Sequence, residues 1–162
     1  MGLLPFVKRD DAFMLVVGMT GVNMGDRFVQ VGCEDGGRLG AVAAKVGLSG
    51  QALAIVPDDR AAARAQQGAA RAGVLVDVVV SPPTALAADA GAFDVAVVDD
   101  TGGLVTSLSP GDRATAIGEL LRILRPGGRV VFIAGTPKSG IGALFGRGGE
   151  GGADVDAEPP RA

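Results

Sequence analysis

Short runs rich in Val, Ile and Ala alternate with longer Ala-rich segments from Arg27 onward. The longer segments have helical period, so the alternation is typical of βα units on a parallel sheet. Each short run is continuously apolar, as expected for strands that are buried on both faces. The sequence therefore predicts an α/β fold with five strands, at Arg27–Gly32, Gln51–Val56, Val74–Val80, Phe93–Val98 and Arg129–Ala134.

The segments between these strands carry the signals of helix ends and apolar faces. Asp58 or Asp59 can cap a helix that runs to Ala72 and stops at Gly73. A short helix is also predicted before the first strand, over Asp11–Val17. The helix that follows the first strand has an apolar stripe at the spacing i, i+3, i+4 and i+7, formed by Leu39, Val42, Ala43 and Val46.

The helix before the fifth strand has the clearest start signal in the chain. Ser109 stands at the N-cap position, Pro110 at the first helical position and Asp112 three residues after the cap. Its predicted apolar stripe is Ile117, Leu120, Leu121 and Leu124, and the helix is closed by Arg125-Pro126-Gly127-Gly128.

The composition excludes several classes of chemistry. The 162 residues include no His, Tyr or Trp and a single Cys, so neither a His-assisted triad nor a Cys/His zinc site can form. One Cys allows no intramolecular disulfide, which predicts a cytoplasmic protein. A net charge of −3 and only six Phe argue against a nucleic-acid partner.

The chain length fits one domain with two flanking segments. We predict an N-terminal segment over 1–24, a domain over 25–139 and a flexible tail over 140–162, because Gly, Asp, Glu and Pro dominate the tail. The apolar run Ala12–Met19 is too short to span a membrane, so no membrane partner is expected.

A glycine-containing loop follows the first strand and leads at once into a helix. The segment Val31-Gly32-Cys33-Glu34-Asp35-Gly36-Gly37 therefore lies at the carboxyl edge of the sheet, where open α/β sheets bind ligands. Glycine lets the backbone approach a ligand closely, and the N–H groups of a helix start favour anionic groups. A plain tight turn between strand and helix explains the same residues equally well.

Four blocks of sequence resemble the class I S-adenosylmethionine-dependent methyltransferases, in order and spacing, over about Gly25 to Gly135. The resemblance implies a Rossmann-like, doubly wound, mainly parallel sheet, S-adenosylmethionine as cofactor and methyl transfer to a small-molecule acceptor. The blocks are Met24-Gly25-Asp26-Arg27-Phe28-Val29-Gln30-Val31-Gly32-Cys33-Glu34-Asp35-Gly36, Ala69-Ala70-Arg71-Ala72-Gly73, Ala92-Phe93-Asp94-Val95, and Glu119-Leu120-Leu121-Arg122-Ile123-Leu124-Arg125-Pro126-Gly127-Gly128-Arg129-Val130.

The cofactor loop departs from the family pattern, which usually reads Asp-x-Gly-x-Gly-x-Gly. Gln30 stands at the acidic position and Glu34 at the middle Gly, whereas Gly32 and Gly36 are kept. A charged side chain at Glu34 would crowd and repel the methionyl carboxylate that the resemblance places here, unless it points to solvent. Cys33 lies in the same loop; adjacent acids disfavour its thiolate, so we expect it to be a small packed residue.

The ends of the second and third strands supply the other cofactor residues that the resemblance implies. Val56 and Pro57 stand where family members carry an acid for the ribose hydroxyls. Asp58 or Asp59 can reach the ribose if the turn is displaced, although a role as helix cap is favoured for both. Ser81 follows the third strand, near the adenine position, and can offer a hydrogen bond.

The fourth strand ends in Asp99 and Asp100, at the edge where the resemblance places the methyl acceptor. Either residue can serve as general base for a hydroxyl or carbon acceptor, whereas a nitrogen or thiol acceptor needs little help. A Mg²⁺ pair and a purely structural acidic turn are alternatives, and we assign no metal ligand.

Other functions of the same fold are weighed next. The substitutions at Glu34 and Val56 leave a catalytically inactive methyltransferase-fold module as the alternative function. A nicotinamide reductase is disfavoured because the loop is not Gly-x-Gly-x-x-Gly and no Tyr is present.

The residues after Gly135 do not supply the family's terminal β-hairpin, so the fifth strand would be an exposed edge. This predicts either a homo-oligomer closed through that edge or a truncated form of a longer protein.

Overall fold

A computed structural model describes residues 14–135 of the chain. Residues 14–20 are helical and precede the first strand. The elements that follow are β1 (Arg27–Val31), α1 (Gly36–Val46), β2 (Gln51–Val56), α2 (Asp59–Ala72), β3 (Asp77–Val80), β4 (Phe93–Asp100), α3 (Pro110–Ile123) and β5 (Leu124–Ala134). The five strands form one sheet in the order β3-β2-β1-β4-β5.

All strand pairs in this sheet are parallel, which confirms the predicted doubly wound α/β fold. The predicted helix over Asp11–Val17 is helical where it overlaps residues 14–17, and its first residues lie outside the described range. The predicted tail over 140–162 and the domain boundary at 139 also lie outside it. Within residues 14–135, no helix combines the length and the apolar character needed to cross a bilayer.

Strand bounds differ from the sequence prediction at four places. β1 ends at Val31 rather than Gly32, where the chain turns with positive φ. β3 begins at Asp77 rather than Val74, because pairing with β2 starts only at Leu53↔Asp77. β4 continues through Asp100, since β5 pairs with it as far as Asp100↔Ala134. β5 begins at Leu124, so residues 125–128, which the sequence predicts as the closing turn of α3, belong to the strand. The pairing of β5 with β4 shifts register between Phe93 and Val95.

The helix caps form where the sequence places them. The Asp58 side chain accepts from the Ala61 N–H and caps α2, while Gly73 ends that helix in the left-handed conformation. The Ser109 side chain accepts from the Asp112 N–H at the start of α3. The apolar stripe of α1 is buried as predicted.

The predicted apolar stripe of α3 is wrong at two of its four positions. Leu120 and Leu124 are buried, but Leu121 is 64% exposed and Ile117 is 36% exposed. The helix is rotated so that its buried face is formed instead by Ala116, Leu120 and Ile123. The rotation is fixed by the loop 81–92, which the Glu119 and Arg122 side chains contact from the opposite flank of the helix.

The helices form one layer on each face of the sheet. Residues of α1, α2 and the 14–20 helix share one core cluster with alternate residues of the strands. α3 and the loop 81–92 cover the other face, where Leu86, Val105 and Leu120 meet the remaining strand residues. The chain order reverses between β1 and β4, so a crevice opens at the carboxyl ends of these two central strands.

Candidate functional site

The loop after β1 lies at this crevice, and its first glycine is required by the protein's own packing. Gly32 has φ +87°, a conformation that favours glycine, and its N–H donates to the Ile55 carbonyl at 2.8 Å. A Cβ at Gly32 would lie 2.8 Å from the Leu104 Cδ2 atom and 2.9 Å from the Asp99 carbonyl oxygen. The buried Gln30 side chain donates to the Gly32 carbonyl at 2.9 Å and fixes the turn from inside.

Asp99 is the centre of the polar contacts in the crevice. Its Oδ2 atom accepts from the Glu34 N–H at 2.9 Å and lies 3.2 Å from Arg38 Nη2, while Oδ1 accepts from the Thr101 hydroxyl at 2.6 Å. The Asp99 side chain is fully buried. Burial alone raises the pKa of Asp99, but the hydrogen bonds from Thr101 and Glu34 and the Arg38 charge outweigh it and hold the pKa below its ordinary value.

Asp100 holds the loop that follows β4. Its Oδ1 atom accepts from the N–H groups of Val105 and Thr106, at 2.7 and 3.3 Å. The residue is 5% exposed. Asp100 therefore acts on the backbone of residues 101–106, and the same turn carries Gly102 toward the β1 loop.

Glu34, the residue at the family's middle glycine, is half exposed and lies across the crevice. Its Oε2 atom is 3.7 Å from Arg64 Nη2, and a Cβ at Gly102 would lie 2.7 Å from the same oxygen. The Arg64 Nε also donates to the Cys33 carbonyl at 2.7 Å. Arg38 and Arg64, from α1 and α2, thus fix the loop from two sides.

Cys33 is buried in the loop, as the sequence analysis expects. Its side chain is packed with α1 and α2 residues in the core cluster, and the residue is 1% exposed. Burial, followed by the nearby Asp99 charge, raises the pKa of the thiol to about 11. The thiol is therefore protonated at neutral pH and is a poor nucleophile.

Gly36, the second glycine that the chain keeps, lies at the contact between α1 and α2. A Cβ at Gly36 would overlap the Arg64 carbonyl oxygen, and a Cβ at Gly68 would overlap the Gly36 carbonyl oxygen. Helix packing therefore requires both glycines whether or not a ligand binds. The Asp35 side chain accepts from the Gly37 N–H at 2.8 Å and caps α1 beside this contact.

The ends of β2 and β3 lie beside the loop at the same edge of the sheet. Val56 is fully buried and Pro57 is exposed, so neither presents a carboxylate. Asp58 is exposed and uses its Oδ1 atom for the cap on Ala61. The Ser81 hydroxyl oxygen accepts from the Ala87 N–H at 3.0 Å, which leaves its proton for another acceptor.

The predicted site residues thus meet along one edge, but their roles stay untested predictions. Gly32, Glu34 and Asp99 come together at the crevice, while Val56, Asp58 and Ser81 lie along the neighbouring strand ends. Sequence reasoning missed Arg38, Arg64 and Thr101. Arg38 follows Asp35 at the spacing i, i+3 of an ion pair, whereas Arg64 carries no comparable local signal.

Two other features of the described residues bear on the site. Residues 14–135 contain no group of three or more His, Cys, Asp or Glu side chains placed to hold a metal ion. Clefts of about 290 and 440 Å³ lie at the opposite, amino edge, where both are lined by Gly50, Ala52 and Leu75. We place the candidate site at the carboxyl edge because the convergent polar groups are there.

The fold and this crevice define a class of protein. The sequence profile described as "methyltransferase domain" matches residues 28–128, which is more than half of the chain. The chain therefore belongs to the methyltransferase domain family. No curated protein sequence matches it.

Solved structures share the fold. A SAM-dependent methyltransferase from Aquifex aeolicus aligns with TM-score 0.60 and 22% identity, over 70% of this chain and 58% of its own. The PH0226 protein from Pyrococcus horikoshii aligns with TM-score 0.63 and 14% identity, over 80% and 57%. The cyclase SpnF aligns with TM-score 0.61 and 29% identity, over 75% and 43%. The chain thus spans about half the length of these neighbours.

Proposed function

We propose that the protein is an S-adenosylmethionine-dependent methyltransferase that acts on a small molecule. The observation that carries the proposal is the crevice between β1 and β4, which lies at the reversal point of the sheet in a chain of the methyltransferase family. The SAM-dependent methyltransferase from Aquifex aeolicus, which has the same fold, supports the choice of cofactor. The net charge of −3 and the single Cys support a cytoplasmic protein without a nucleic-acid partner.

Two groups at this edge fit a nucleoside. The Asp58 carboxylate uses one oxygen for its helix cap and can accept from a ribose hydroxyl with the other. The Ser81 hydroxyl can donate to an adenine nitrogen. When bound, S-adenosylmethionine supplies a methyl group activated by a sulfonium.

The methionyl carboxylate is the part of the cofactor that fits least well. A ligand carboxylate at this loop would accept a hydrogen bond from the Glu34 N–H, but that N–H already donates to Asp99. Arg64 offers a replacement, because its side chain is 37% exposed and its ion pair to Glu34 is long at 3.7 Å. We propose that the carboxylate binds Arg64 after the Glu34 side chain turns toward solvent.

The chemistry of the crevice favours an acceptor that needs no strong base. Asp99 is paired with Arg38 and has a lowered pKa, so its carboxylate is a weak proton acceptor. Asp100 is committed to the backbone of the next turn. We therefore propose that both residues position the loops, and that the acceptor atom is a nitrogen or a thiol. Methyl transfer then depends on holding donor and acceptor in line.

A second function, a catalytically inactive binding module, is favoured by the Asp99 to Glu34 hydrogen bond. The chain's own carboxylate takes the place of a ligand anion there, and Glu34 covers the turn at Gly102. Gly32 and Gly36 are explained by packing alone, so they do not separate the two functions.

Thermal unfolding with S-adenosylmethionine or S-adenosylhomocysteine separates them. A ligand at a hundred times its dissociation constant adds roughly 2.7 kcal/mol of apparent stability. We expect such a shift for the wild-type protein, and a larger one for Glu34→Gly and for the isosteric Glu34→Gln, which removes only the charge. A shift that appears only in Glu34→Gly, or only after Val56→Asp is added, supports the inactive module. No shift in any variant rules out the cofactor.

A further inference from the structure

One turn of α3 holds the backbone of the loop 81–92, which connects β3 to β4. The Glu119 Oε1 atom accepts from the Leu86 N–H at 2.8 Å, and Arg122 Nη2 donates to the Leu86 carbonyl oxygen at 2.9 Å. Arg122 Nη1 donates to the Ala88 carbonyl oxygen at 2.9 Å. Glu119 and Arg122 thus bind the main chain on both sides of Ala87, and we call these two residues the α3 clamp.

The two side chains of the α3 clamp are fixed against each other. They stand three residues apart on the helix, and Arg122 Nε lies 2.7 Å from Glu119 Oε2. The Arg122 guanidinium holds the pKa of Glu119 below its ordinary value, so Glu119 is charged at neutral pH. The pair therefore offers the loop one charged acceptor and a rigid fork of donors.

The clamped residues connect directly to Ser81 at the carboxyl edge of the sheet. Ala87 lies between Leu86 and Ala88, and its N–H donates to the Ser81 hydroxyl oxygen at 3.0 Å. The Ser81 N–H in turn donates to the Val56 carbonyl oxygen at 2.9 Å, at the end of β2. Ser81 is thus held between a strand end on one side and the clamped loop on the other.

The contact with Ala87 fixes the direction of the Ser81 hydroxyl. A hydroxyl has one proton and two lone pairs, and the Ala87 N–H occupies one of the lone pairs. The Ser81 proton is therefore directed away from Ala87. Without this contact the hydroxyl is free to rotate, and its proton has no fixed direction. A ligand atom that accepts from Ser81 thus meets a donor whose direction is set before binding.

We propose that Glu119 and Arg122 are positioning residues of the nucleobase site, where they hold residues 86–88 so that Ser81 presents its proton to an acceptor nitrogen of the base. The inference rests on the proposed function, in which a nucleoside binds at the ends of β2 and β3. It adds two residues of α3 that touch no ligand and act through the Ser81 hydroxyl.

A double-mutant cycle on the full chain tests this role. The probes are S-adenosylhomocysteine and adenosine, and two-dimensional NMR of the ¹⁵N-labelled protein gives their dissociation constants. We expect Ser81→Ala, which removes the donor, and Arg122→Lys, which keeps the charge but not the fork, each to weaken binding roughly three- to tenfold. Because both changes act through one hydroxyl, the double variant should bind no more weakly than the weaker single variant. Glu119→Gln should overlap with Ser81→Ala in the same way.

Arg113→Lys is the matched control on the same helix. Arg113 Nη2 donates to the carbonyl oxygens of Thr106 and Leu108, at 3.3 and 3.0 Å, so it holds the loop after β4 much as Arg122 holds the loop before it. Any effect of Arg113→Lys on binding should multiply with that of Ser81→Ala. Circular dichroism checks that each variant is folded.

The outcomes separate the role of the α3 clamp from the proposed function. If Ser81→Ala has no effect, or if its effect multiplies with those of Arg122→Lys and Glu119→Gln, the positioning role is overturned even when S-adenosylhomocysteine binds. Adenosine binding with overlapping effects, but no binding of S-adenosylhomocysteine, supports the role and contradicts the methyltransferase proposal. A protein that binds neither probe contradicts both.

Discussion

At the scale of single residues, Asp99 connects the three parts of the candidate site. It accepts hydrogen bonds from the β1 loop and from the turn after β4, and it pairs with Arg38 of α1. Its removal would leave the mostly buried Arg38 guanidinium with only the longer ion pair to Asp35, at 3.5 Å. The Asp99 carboxylate therefore stabilises both the fold and the loop. Its contribution to the free energy of unfolding can be measured by removing its charge.

Asp99→Asn is expected to lower the free energy of unfolding at pH 7 by about 3 kcal/mol, because it breaks a buried ion pair. The folded-state pKa of Asp99 is lowered, so its contribution is present above the unfolded-state pKa and is lost as pH falls through the folded-state pKa. The difference between wild type and variant should therefore shrink below about pH 4. Urea unfolding from pH 7 to pH 3 measures it. Asp77→Asn, at an exposed position, is the control; equal losses in both variants would contradict the assignment.

The alkylation rate of the buried Cys33 thiol measures how closed the β1 loop is, and it needs no substitution in the loop. Its thiol has a pKa raised to about 11 from the ordinary 9.0, so at pH 8 it should hold about a hundredfold less thiolate than an exposed thiol. Iodoacetamide should modify the native protein at least that much more slowly than the protein in guanidinium chloride. Asp99→Asn should partly restore the rate, because the Asp99 charge is the second cause of the shift. Native modification within tenfold of the unfolded rate would show that the loop is open.

At the scale of elements, α1 and α2 pack backbone against backbone beside the site. Gly36 and Gly68 let the two helix backbones meet directly, and this contact fixes where the β1 loop enters α1. The position of the loop is therefore set by helix packing as well as by the sheet.

Gly68→Ala is expected to lower the free energy of unfolding by about 3 kcal/mol, because its methyl group overlaps the Gly36 backbone and forces the helices apart. Gly118→Ala is the control with the opposite sign. A Cβ at Gly118 meets nothing within 4 Å, so the helix should gain up to about 1 kcal/mol. Chemical denaturation of both variants measures the difference. Similar effects at the two sites would show that the contact is looser than described.

The element scale also shows what the sequence can and cannot predict. Strands and caps follow from local signals, so β2 and the ends of α2 lie where the sequence analysis places them. The face of α3 could not be predicted, because Ile117 and Leu121 are as apolar as Leu120 and only contacts with the loop 81–92 fix the rotation. β3 is shorter than its apolar run because Val74 and Val76 pack on the core without pairing.

At the scale of the whole molecule, the fold brings together a site that its sequence describes only in part. The loop after β1 and the acids after β4 are recognisable in the sequence because strand ends of a parallel sheet share one edge. The contacts of Arg38 with Asp99 and of Arg64 with Glu34 could not be predicted, since these partners are 61 and 30 residues apart along the chain and are brought together by tertiary packing.

The central claim, which rests on the proposed function, is that the crevice between β1 and β4 binds S-adenosylmethionine and its demethylated product. A titration of the ¹⁵N-labelled protein with S-adenosylhomocysteine, followed by two-dimensional NMR, tests it most directly. We predict saturable shifts of the amides of Gly32, Glu34 and Gly36, together with Ser81 beside them. Amides that stay unmoved at millimolar ligand, or shifts confined to the amino-edge clefts around Gly50 and Leu75, would contradict the claim.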